Sequence, residues 1–218
     1  MERGVSVVVF DVGETIVSEA RIWTRWAERL GVRPFDFHAA LGALIERGRP
    51  HREVFEFFSP GFDVDAAMAE DPVFGAFDAD DLYADVRPCF EALRAQGHRI
   101  AIAGNQPERA EDALKTLDLG VDFVAASRRW GVEKPSPEFF AKVVEAAGAP
   151  PEQIAYVGDR VDNDVLPARD AGMVAVFIRR GPWGWIQSKK GPARWAHITI
   201  DSLTELPGAL GRAAGTSS

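Results

Sequence analysis

The stretch Val5–Val17, VSVVVFDVGETIV, decides the fold. It begins with β-branched and aromatic residues, which is typical of a strand buried on both faces of a parallel sheet. The apolar run stops at Asp11, and Gly13, Glu14 and Thr15 follow. Ligands of open α/β sheets bind beyond the carboxyl ends of the strands. Asp11 is therefore a nucleophile, a metal ligand or an ordinary strand terminator, and the later segments must decide between these interpretations.

Strands and helices alternate through most of the chain, which predicts an α/β fold with a parallel sheet and right-handed crossovers. Further strands are predicted at 99–103, 123–126, 154–157 and 173–178, with an edge strand at 198–200. Helical patterns occupy 88–96, 107–117, 138–147, 166–171 and 203–210.

Residues 18–86 interrupt this alternation with apolar and aromatic residues at helical spacing, including Trp23 and Trp26. We interpret them as a helical cap inserted over the carboxyl edge of the sheet. The predicted organisation is a core of residues 1–17 and 87–210, a cap of residues 18–86 and a disordered tail of residues 211–218.

The composition narrows the classes of function. The 218 residues carry a formal net charge of −8, which argues against nucleic acid as a partner. An anionic substrate stays compatible, because a bound metal can invert the local field. One cysteine, Cys89, allows no internal disulfide. No apolar run approaches the ~20 residues of a membrane span, and the start of the chain lacks the shape of a signal peptide. We expect a cytoplasmic monomer or homodimer that acts on a small molecule and does not bind membranes.

Polar groups follow three of the predicted strands. They are Asp11, Gly104-Asn105 and Gly158-Asp159, while Lys134 lies in a proline-rich loop and Asp164 follows Asp159 in the segment GDRVDND. Parallel strands bring such ends to one edge of the sheet. Because carboxylates repel one another, the cluster needs a cation. Carboxylate oxygens suit Mg²⁺, and Lys134 would neutralise a nucleophilic Asp11.

With these segments in view, the sequence resembles the haloacid dehalogenase superfamily of hydrolases over about residues 5–207. The resemblance is carried by FDVGET at 10–15, AIAGNQ at 101–106, EKPSPEFF at 133–140 and YVGDRVDND at 156–164. The helical insert resembles the type 1 cap of that family. The resemblance implies a Rossmann-like core, a Mg²⁺ ion and a covalent aspartyl intermediate.

The resemblance also implies roles for individual residues. Asp11 matches the nucleophile and Lys134 the motif lysine. Three residues match substrate-binding positions of the family. Thr15 matches the threonine that orders the loop, and Gly104 and Asn105 match the positions where backbone N–H groups bind the transferred group. The metal ligands match Asp11, the backbone carbonyl of Gly13, Asp159 and Asp164.

The sequence departs from the family pattern at two positions. Phosphatases of the family usually carry a second Asp two residues after the nucleophile, which protonates the leaving oxygen and then activates water. Here that position is Gly13, and the adjacent Glu14 is a poor substitute because neighbouring residues point differently. Losing a general acid/base commonly costs about 10² to 10⁴ in rate. Gly104 stands where the family usually has Ser or Thr, which removes one hydroxyl donor.

Three functions follow from these observations. The first is a Mg²⁺-dependent phosphohydrolase of small phosphate esters, either weakened or with a replacement acid. The second is a dehalogenase or phosphonatase; dehalogenases of the superfamily need no metal, and phosphonatases use a cap lysine, whereas residues 18–86 contain none. The third is a binding protein that has kept the fold and lost turnover.

Two sets of cap residues and one Trp-rich segment have competing interpretations. His38, His51 and Arg52 are candidates for the replacement acid. The favoured interpretation is that these three residues lie on the protein surface and have no catalytic role. Arg47, Arg49 and Arg52 could meet an anionic substrate or form a solvated helix end. The segment 179–195, RRGPWGWIQSKKGPARW, is interpreted as a loop that packs its rings on the core, with a dimer or substrate contact as the alternative.

Overall fold

Six parallel strands form one sheet in the order β3-β2-β1-β4-β5-β6. The computed structural model describes residues 4–71 and 77–215. The strands are β1 (Val7–Phe10), β2 (Arg99–Gly104), β3 (Phe123–Ala126), β4 (Ile154–Gly158), β5 (Val174–Ile178) and β6 (Ile198–Ile200). The predicted α/β class and all six predicted strands are confirmed, and β6 lies at the edge.

The first strand lies in the middle of the sheet, between β2 and β4. Val8 and Phe10 pack into a hydrophobic cluster on one face, and Val7 and Val9 pack into a second cluster on the other face. This two-sided burial explains why β1 has no polar alternation. The central position also places the residue after β1 beside the ends of both neighbouring strands.

Helices cover both faces of the sheet. On one face α5, α6 and α11 contribute apolar residues to the first cluster, and on the other face α8 and α9 contribute to the second. The helices are α1 (Ala20–Arg29), α2 (Pro34–Glu46), α3 (Glu53–Phe58), α4 (Val64–Glu70), α5 (Val86–Ala95), α6 (Glu108–Thr116), α7 (Ser127–Trp130), α8 (Pro137–Ala147), α9 (Leu166–Asp170), α10 (Gly181–Gln187) and α11 (Leu206–Gly215).

Helices α1 to α4 share a third hydrophobic cluster. It includes Trp23 and Trp26 of α1, Phe37 of α2 and Phe55 of α3, and Trp183 of α10 joins it. An antiparallel bridge between Val17 and Leu82 ties the start of this helical block to its end. Trp23 and Trp26 are buried in this cluster, as their helical spacing predicts.

Two sequence predictions need correction. Helix α11 continues to Gly215, so residues 211–215 extend the last helix, and only 216–218 of the predicted tail lie outside the described residues. The segment after β5 forms α10 and a 3₁₀ turn at Gly191–Trp195, although a loop was predicted. Pro182 fits the first turn of α10, where its missing N–H costs nothing. Among the described residues, none of the helices has the length and apolar character needed to cross a membrane.

Candidate active site

Asp11 leaves the end of β1 and enters a loop that folds back on itself. The Asp11 N–H donates to the carbonyl of Val157 on β4 at 2.8 Å. Beyond it, the N–H of Glu14 donates to the carbonyl of Val17 at 2.7 Å, and the N–H of Val17 donates to the carbonyl of Val12 at 3.0 Å. This tight turn fixes Asp11 at the carboxyl edge of the sheet. Asp11 is buried there, with 7% of its surface exposed to solvent.

Lys134 reaches the same edge from the loop before α8 and joins two carboxylates. Its Nζ lies 2.5 Å from Oδ1 of Asp11 and 2.6 Å from Oδ1 of Asp164. Asn105, after β2, holds the lysine backbone: its Nδ2 donates to the Lys134 carbonyl at 2.9 Å and its Oδ1 accepts from the Lys134 N–H at 2.8 Å. Burial works to lower the pKa of Lys134, but Asp11 and Asp164 raise that pKa well above its ordinary value.

Asp159 and Asp164 come from the end of β4 and the π-helical segment Val161–Val165. The Arg160 N–H donates to Oδ2 of Asp164 at 3.0 Å. Gly158 makes this packing possible, because a β-carbon there would lie 2.5 Å from the Asp164 Cβ. Burial, then the charges of Asp164 and Asp11, raise the pKa of Asp159 well above its ordinary value. Burial likewise raises the pKa of Asp164 to about 6, despite the opposing effect of Lys134.

The carboxylates of Asp11, Asp159 and Asp164 form a donor set that fits a divalent cation. One oxygen from each lies within 4.8 Å of the others. The buried Oδ2 of Asp159 has no hydrogen-bond partner among the residues that the structure describes. Three buried carboxylates facing one lysine leave excess negative charge, and hard oxygen ligands of this kind suit Mg²⁺. The structure therefore brings together the predicted side-chain ligands and Lys134.

Gly104 lies against the Asp11 carboxylate, and Thr15 lies in the interior behind the loop. A β-carbon on Gly104 would lie 2.5 Å from Oδ1 of Asp11, so the observed position of the nucleophile carboxylate leaves no room for Ser or Thr there. Thr15 is fully buried and does not line the cavity at the site. Its backbone carbonyl accepts a hydrogen bond from Arg180 at 2.9 Å, which ties the loop to the segment after β5. Asn105 does line the cavity.

The cavity beside Asp11 has a volume of about 160 Å³, and the rings of Trp23, His51 and Trp183 line it. The ring of His51 lies 5.9 Å from that of Trp23 and 5.5 Å from that of Trp183, edge-on to both. The guanidinium of Arg160 lies 5.2 Å from the Trp183 ring. Trp183 lines the cavity and also packs into the third hydrophobic cluster, so the favoured packing of its ring is observed beside the cavity.

His51 is half-buried and lines this cavity, although a position on the outer surface was favoured. Burial, followed by the charges of Arg160 and Arg52, lowers the pKa of His51 to about 4. A neutral imidazole at physiological pH is a poor proton donor, which argues against His51 as the replacement acid. His38 is exposed, as favoured.

The arginines near the end of α2 form a solvated surface. Arg47, Arg49 and Arg52 are exposed, and Arg49 and Arg52 pair with Glu53 and Asp65. The solvated interpretation therefore describes them better than a substrate contact.

Glu19 also lines the cavity, although the sequence did not single it out. It precedes α1, and the fold of the loop returns it to the vicinity of Gly13. Trp23 Nε1 donates to Oε2 of Glu19 at 3.2 Å. Burial, followed by the charge of Glu14, raises the pKa of Glu19 to about 7. The sequence did contain one signal for Glu19. It is an acidic residue directly before α1, and it follows a loop that lacks the second Asp of the phosphatase pattern.

Comparison with known families agrees with this geometry. A family model described as haloacid dehalogenase-like hydrolase matches residues 5–172, which is most of the chain. The chain belongs to this family. The matched region of the hydrolase includes every residue of the acidic cluster and Lys134.

Named relatives of this HAD-like hydrolase are phosphatases. A glyceraldehyde 3-phosphate phosphatase of Methanopyrus kandleri is 38% identical over 46% of this chain and 45% of its own. A phosphoglycolate phosphatase of Pseudomonas putida is 31% identical over 70% of this chain and 59% of its own. The chain spans about half the length of the curated relatives it matches. The crystal structure of a HAD phosphatase from Thermococcus onnurineus is 25% identical, with a TM-score of 0.60 over 94% of this chain and 98% of its own.

Proposed function

We propose that the protein is a Mg²⁺-dependent hydrolase of small phosphate monoesters that works through an aspartyl-phosphate intermediate. The observation that carries the proposal is the convergence of Asp11, Asp159, Asp164 and Lys134 beside one cavity. The relatives named as phosphatases of glyceraldehyde 3-phosphate and phosphoglycolate support a small organic phosphate as substrate. The cavity volume of about 160 Å³ agrees with a compact ligand.

The reaction has two steps at phosphorus. A carboxylate oxygen of Asp11 attacks the phosphoryl group, and the bond between phosphorus and the leaving oxygen breaks. Water then attacks the phosphorus of the aspartyl phosphate, the bond to the Asp11 oxygen breaks, and inorganic phosphate leaves. Covalent catalysis of this kind divides one difficult displacement into two easier ones.

The buried charges have separate tasks in this scheme. Asp11, Asp159, Asp164 and the carbonyl of Gly13 would hold Mg²⁺. When bound, that ion supplies positive charge that offsets the carboxylates and the phosphoryl group. Lys134 keeps the Asp11 carboxylate in place and adds a second positive charge next to the transferred group. Asn105 fixes the Lys134 backbone and so the lysine itself.

Turnover of 4-nitrophenyl phosphate, of 2-phosphoglycolate and of glyceraldehyde 3-phosphate tests the proposal. We expect phosphate release that requires Mg²⁺, that EDTA abolishes and that Asp11→Asn reduces by at least about 10³-fold. Glu28→Gln on the exposed side of α1 is the matched control and should keep the wild-type rate. Metal-dependent turnover no higher than that of Asp11→Asn would refute the phosphatase assignment.

The same assays separate the other hydrolytic functions. Chloride release from 2-chloropropionate without metal would indicate a dehalogenase, and phosphate release from phosphonoacetaldehyde would indicate a phosphonatase. The acidic cluster disfavours the first, and the lack of lysine in residues 18–86 disfavours the second. A cytoplasmic location and a monomeric or homodimeric state stay predictions.

A further inference from the structure

The space beside Gly13 is occupied by a carboxylate from another part of the chain. A β-carbon on Gly13 would lie 2.8 Å from the carboxyl carbon of Glu19 and closer still to its Oε1. A side chain at position 13 would therefore start where the Glu19 carboxylate already lies. The acid that the phosphatase pattern places at position 13 is absent from the sequence, but a carboxylate is present in the corresponding space.

Local contacts hold Glu19 in this orientation. Its N–H donates to Oε1 of Glu14 at 2.8 Å, which fixes the backbone at the start of α1. Its Oε2 accepts from Trp23 Nε1 one turn along the helix. The other oxygen, Oε1, is the one closest to Gly13. Glu19 is thus anchored through one oxygen and faces the nucleophile loop with the other.

Glu14 is not available for the same task. Its Oε1 accepts from the Glu19 N–H, and its Oε2 accepts from the Tyr83 hydroxyl at 2.5 Å. Both oxygens hold the loop to the helical block. Glu14 lines the cavity of about 160 Å³ together with Glu19 and Asp11, but these two hydrogen bonds engage both of its oxygens.

We infer that Glu19 is the general acid/base of the reaction and replaces the residue missing at position 13. The inference rests on the proposed phosphatase function. Protonated Glu19 gives its proton to the leaving oxygen as the bond from that oxygen to phosphorus breaks. The resulting Glu19 carboxylate takes a proton from the water that attacks the aspartyl phosphate. Phosphate leaves, Asp11 is free, and Glu19 is protonated again.

The leaving group gives the decisive measurement, because a poor leaving group needs a proton more than a good one. We expect Glu19→Gln to lower kcat/KM for 2-phosphoglycolate by about 10²- to 10⁴-fold, and kcat/KM for 4-nitrophenyl phosphate by less than about tenfold, because kcat/KM reports the step in which the leaving oxygen departs. Gln keeps an oxygen for the Trp23 hydrogen bond. Glu28→Gln on the same helix is the control and should match the wild type on both substrates.

A complementation experiment tests the shared space directly. Gly13→Asp alone should not raise the rate, because the Glu19 carboxylate occupies the position of the new side chain. The double variant Gly13→Asp, Glu19→Ala should regain at least tenfold in 2-phosphoglycolate turnover over Glu19→Ala. Mg²⁺ binding by calorimetry and thermal unfolding show whether each variant is folded and keeps its metal site.

The outcomes separate this inference from the proposed function. If the wild type turns over no phosphate ester with Mg²⁺, the proposed function fails and the role of Glu19 fails with it. If the wild type is active but Glu19→Gln keeps its 2-phosphoglycolate rate, the role of Glu19 alone is overturned. Equal losses of kcat/KM on both substrates by a folded Glu19→Gln variant would also overturn it, since they would indicate a structural contribution.

Discussion

Lys134 shows how much of the candidate site depends on a single residue. Its side chain is almost fully buried and contacts both Asp11 and Asp164. A buried ion pair gains little over an apolar pair, but removing one partner leaves an uncompensated charge in the interior. Asp11 and Asp164 can therefore lie next to each other in the interior because Lys134 offsets their negative charges.

Replacing Lys134 by Met is expected to lower the free energy of unfolding by about 3–5 kcal/mol in EDTA, because Asp11 and Asp164 lose their buried counter-ion. Urea denaturation measures the difference. Lys142→Met, on the partly exposed side of α8, is the matched control and should change stability by less than about 0.5 kcal/mol. Equal stability of the two variants would show that the carboxylates do not depend on Lys134.

At the scale of elements, Arg180 connects the nucleophile loop to two other parts of the core. It donates to the carbonyl of Thr15 and to Asp85 at the start of α5. Asp85 also accepts from the Ser202 hydroxyl at 2.8 Å and from the Leu203 N–H at 3.0 Å. One carboxylate thus joins the loop after β1, helix α5 and the turn that precedes α11.

Asp85→Asn should cost about 1.5–3 kcal/mol of stability at pH 7, the usual contribution of hydrogen bonds to a charged group. Burial works to raise the pKa of Asp85, but Arg180, Ser202 and Leu203 lower it below its ordinary value of 3.8. The contribution is therefore complete above about pH 4 and is lost as the pH falls through the folded-state pKa.

Urea denaturation between pH 2.5 and 7 measures this dependence. The difference in unfolding free energy between the wild type and Asp85→Asn should shrink toward low pH. A constant difference across that range would contradict the ionic role of Asp85.

Helix α10 links the core to the helical block through one of its two tryptophans. Trp183 is 7% exposed and packs into the third cluster, whereas Trp185 is 56% exposed. Trp183→Ala should lower the free energy of unfolding by about 3–5 kcal/mol. It should also raise KM for 2-phosphoglycolate, because Trp183 lines the cavity.

Trp185→Ala is the matched control for this helix. Its stability should stay within about 0.5 kcal/mol of the wild type, and its KM should not change. Similar effects of the two substitutions would argue against a specific role for Trp183.

Over the whole molecule, the sequence predicted what depends on local pattern. Strand β1 and the polar residues at the strand ends follow from apolar runs that stop abruptly, and parallel pairing then places Asp11 near Asp159. The sequence did not single out Glu19, and it favoured a surface position for His51 and packing on the core for the segment that contains Trp183. Their positions depend on a loop that folds back and on helices that meet across the cavity, and neither leaves a periodic signal.

The acidic cluster lowers the stability of the metal-free protein, and the same carboxylates would bind the metal ion. The raised pKa of Asp159 means that folding disfavours its charged form, so this charge destabilises the metal-free protein at neutral pH. In EDTA at pH 7, Asp159→Asn should raise the free energy of unfolding, because the amide carries no charge into the interior. Urea denaturation measures this gain.

Mg²⁺ should reverse that order of stability. At 100 times its dissociation constant, it should stabilise the wild type by about 2.7 kcal/mol and Asp159→Asn much less, since the variant loses a ligand. Asp162→Asn is the matched control in the same segment, because Asp162 bonds Arg160 and Gln187 outside the cluster and should leave the response to Mg²⁺ intact. An Asp159→Asn variant that is less stable than the wild type in EDTA and gains equally from Mg²⁺ would contradict both the uncompensated charge and its role as a ligand.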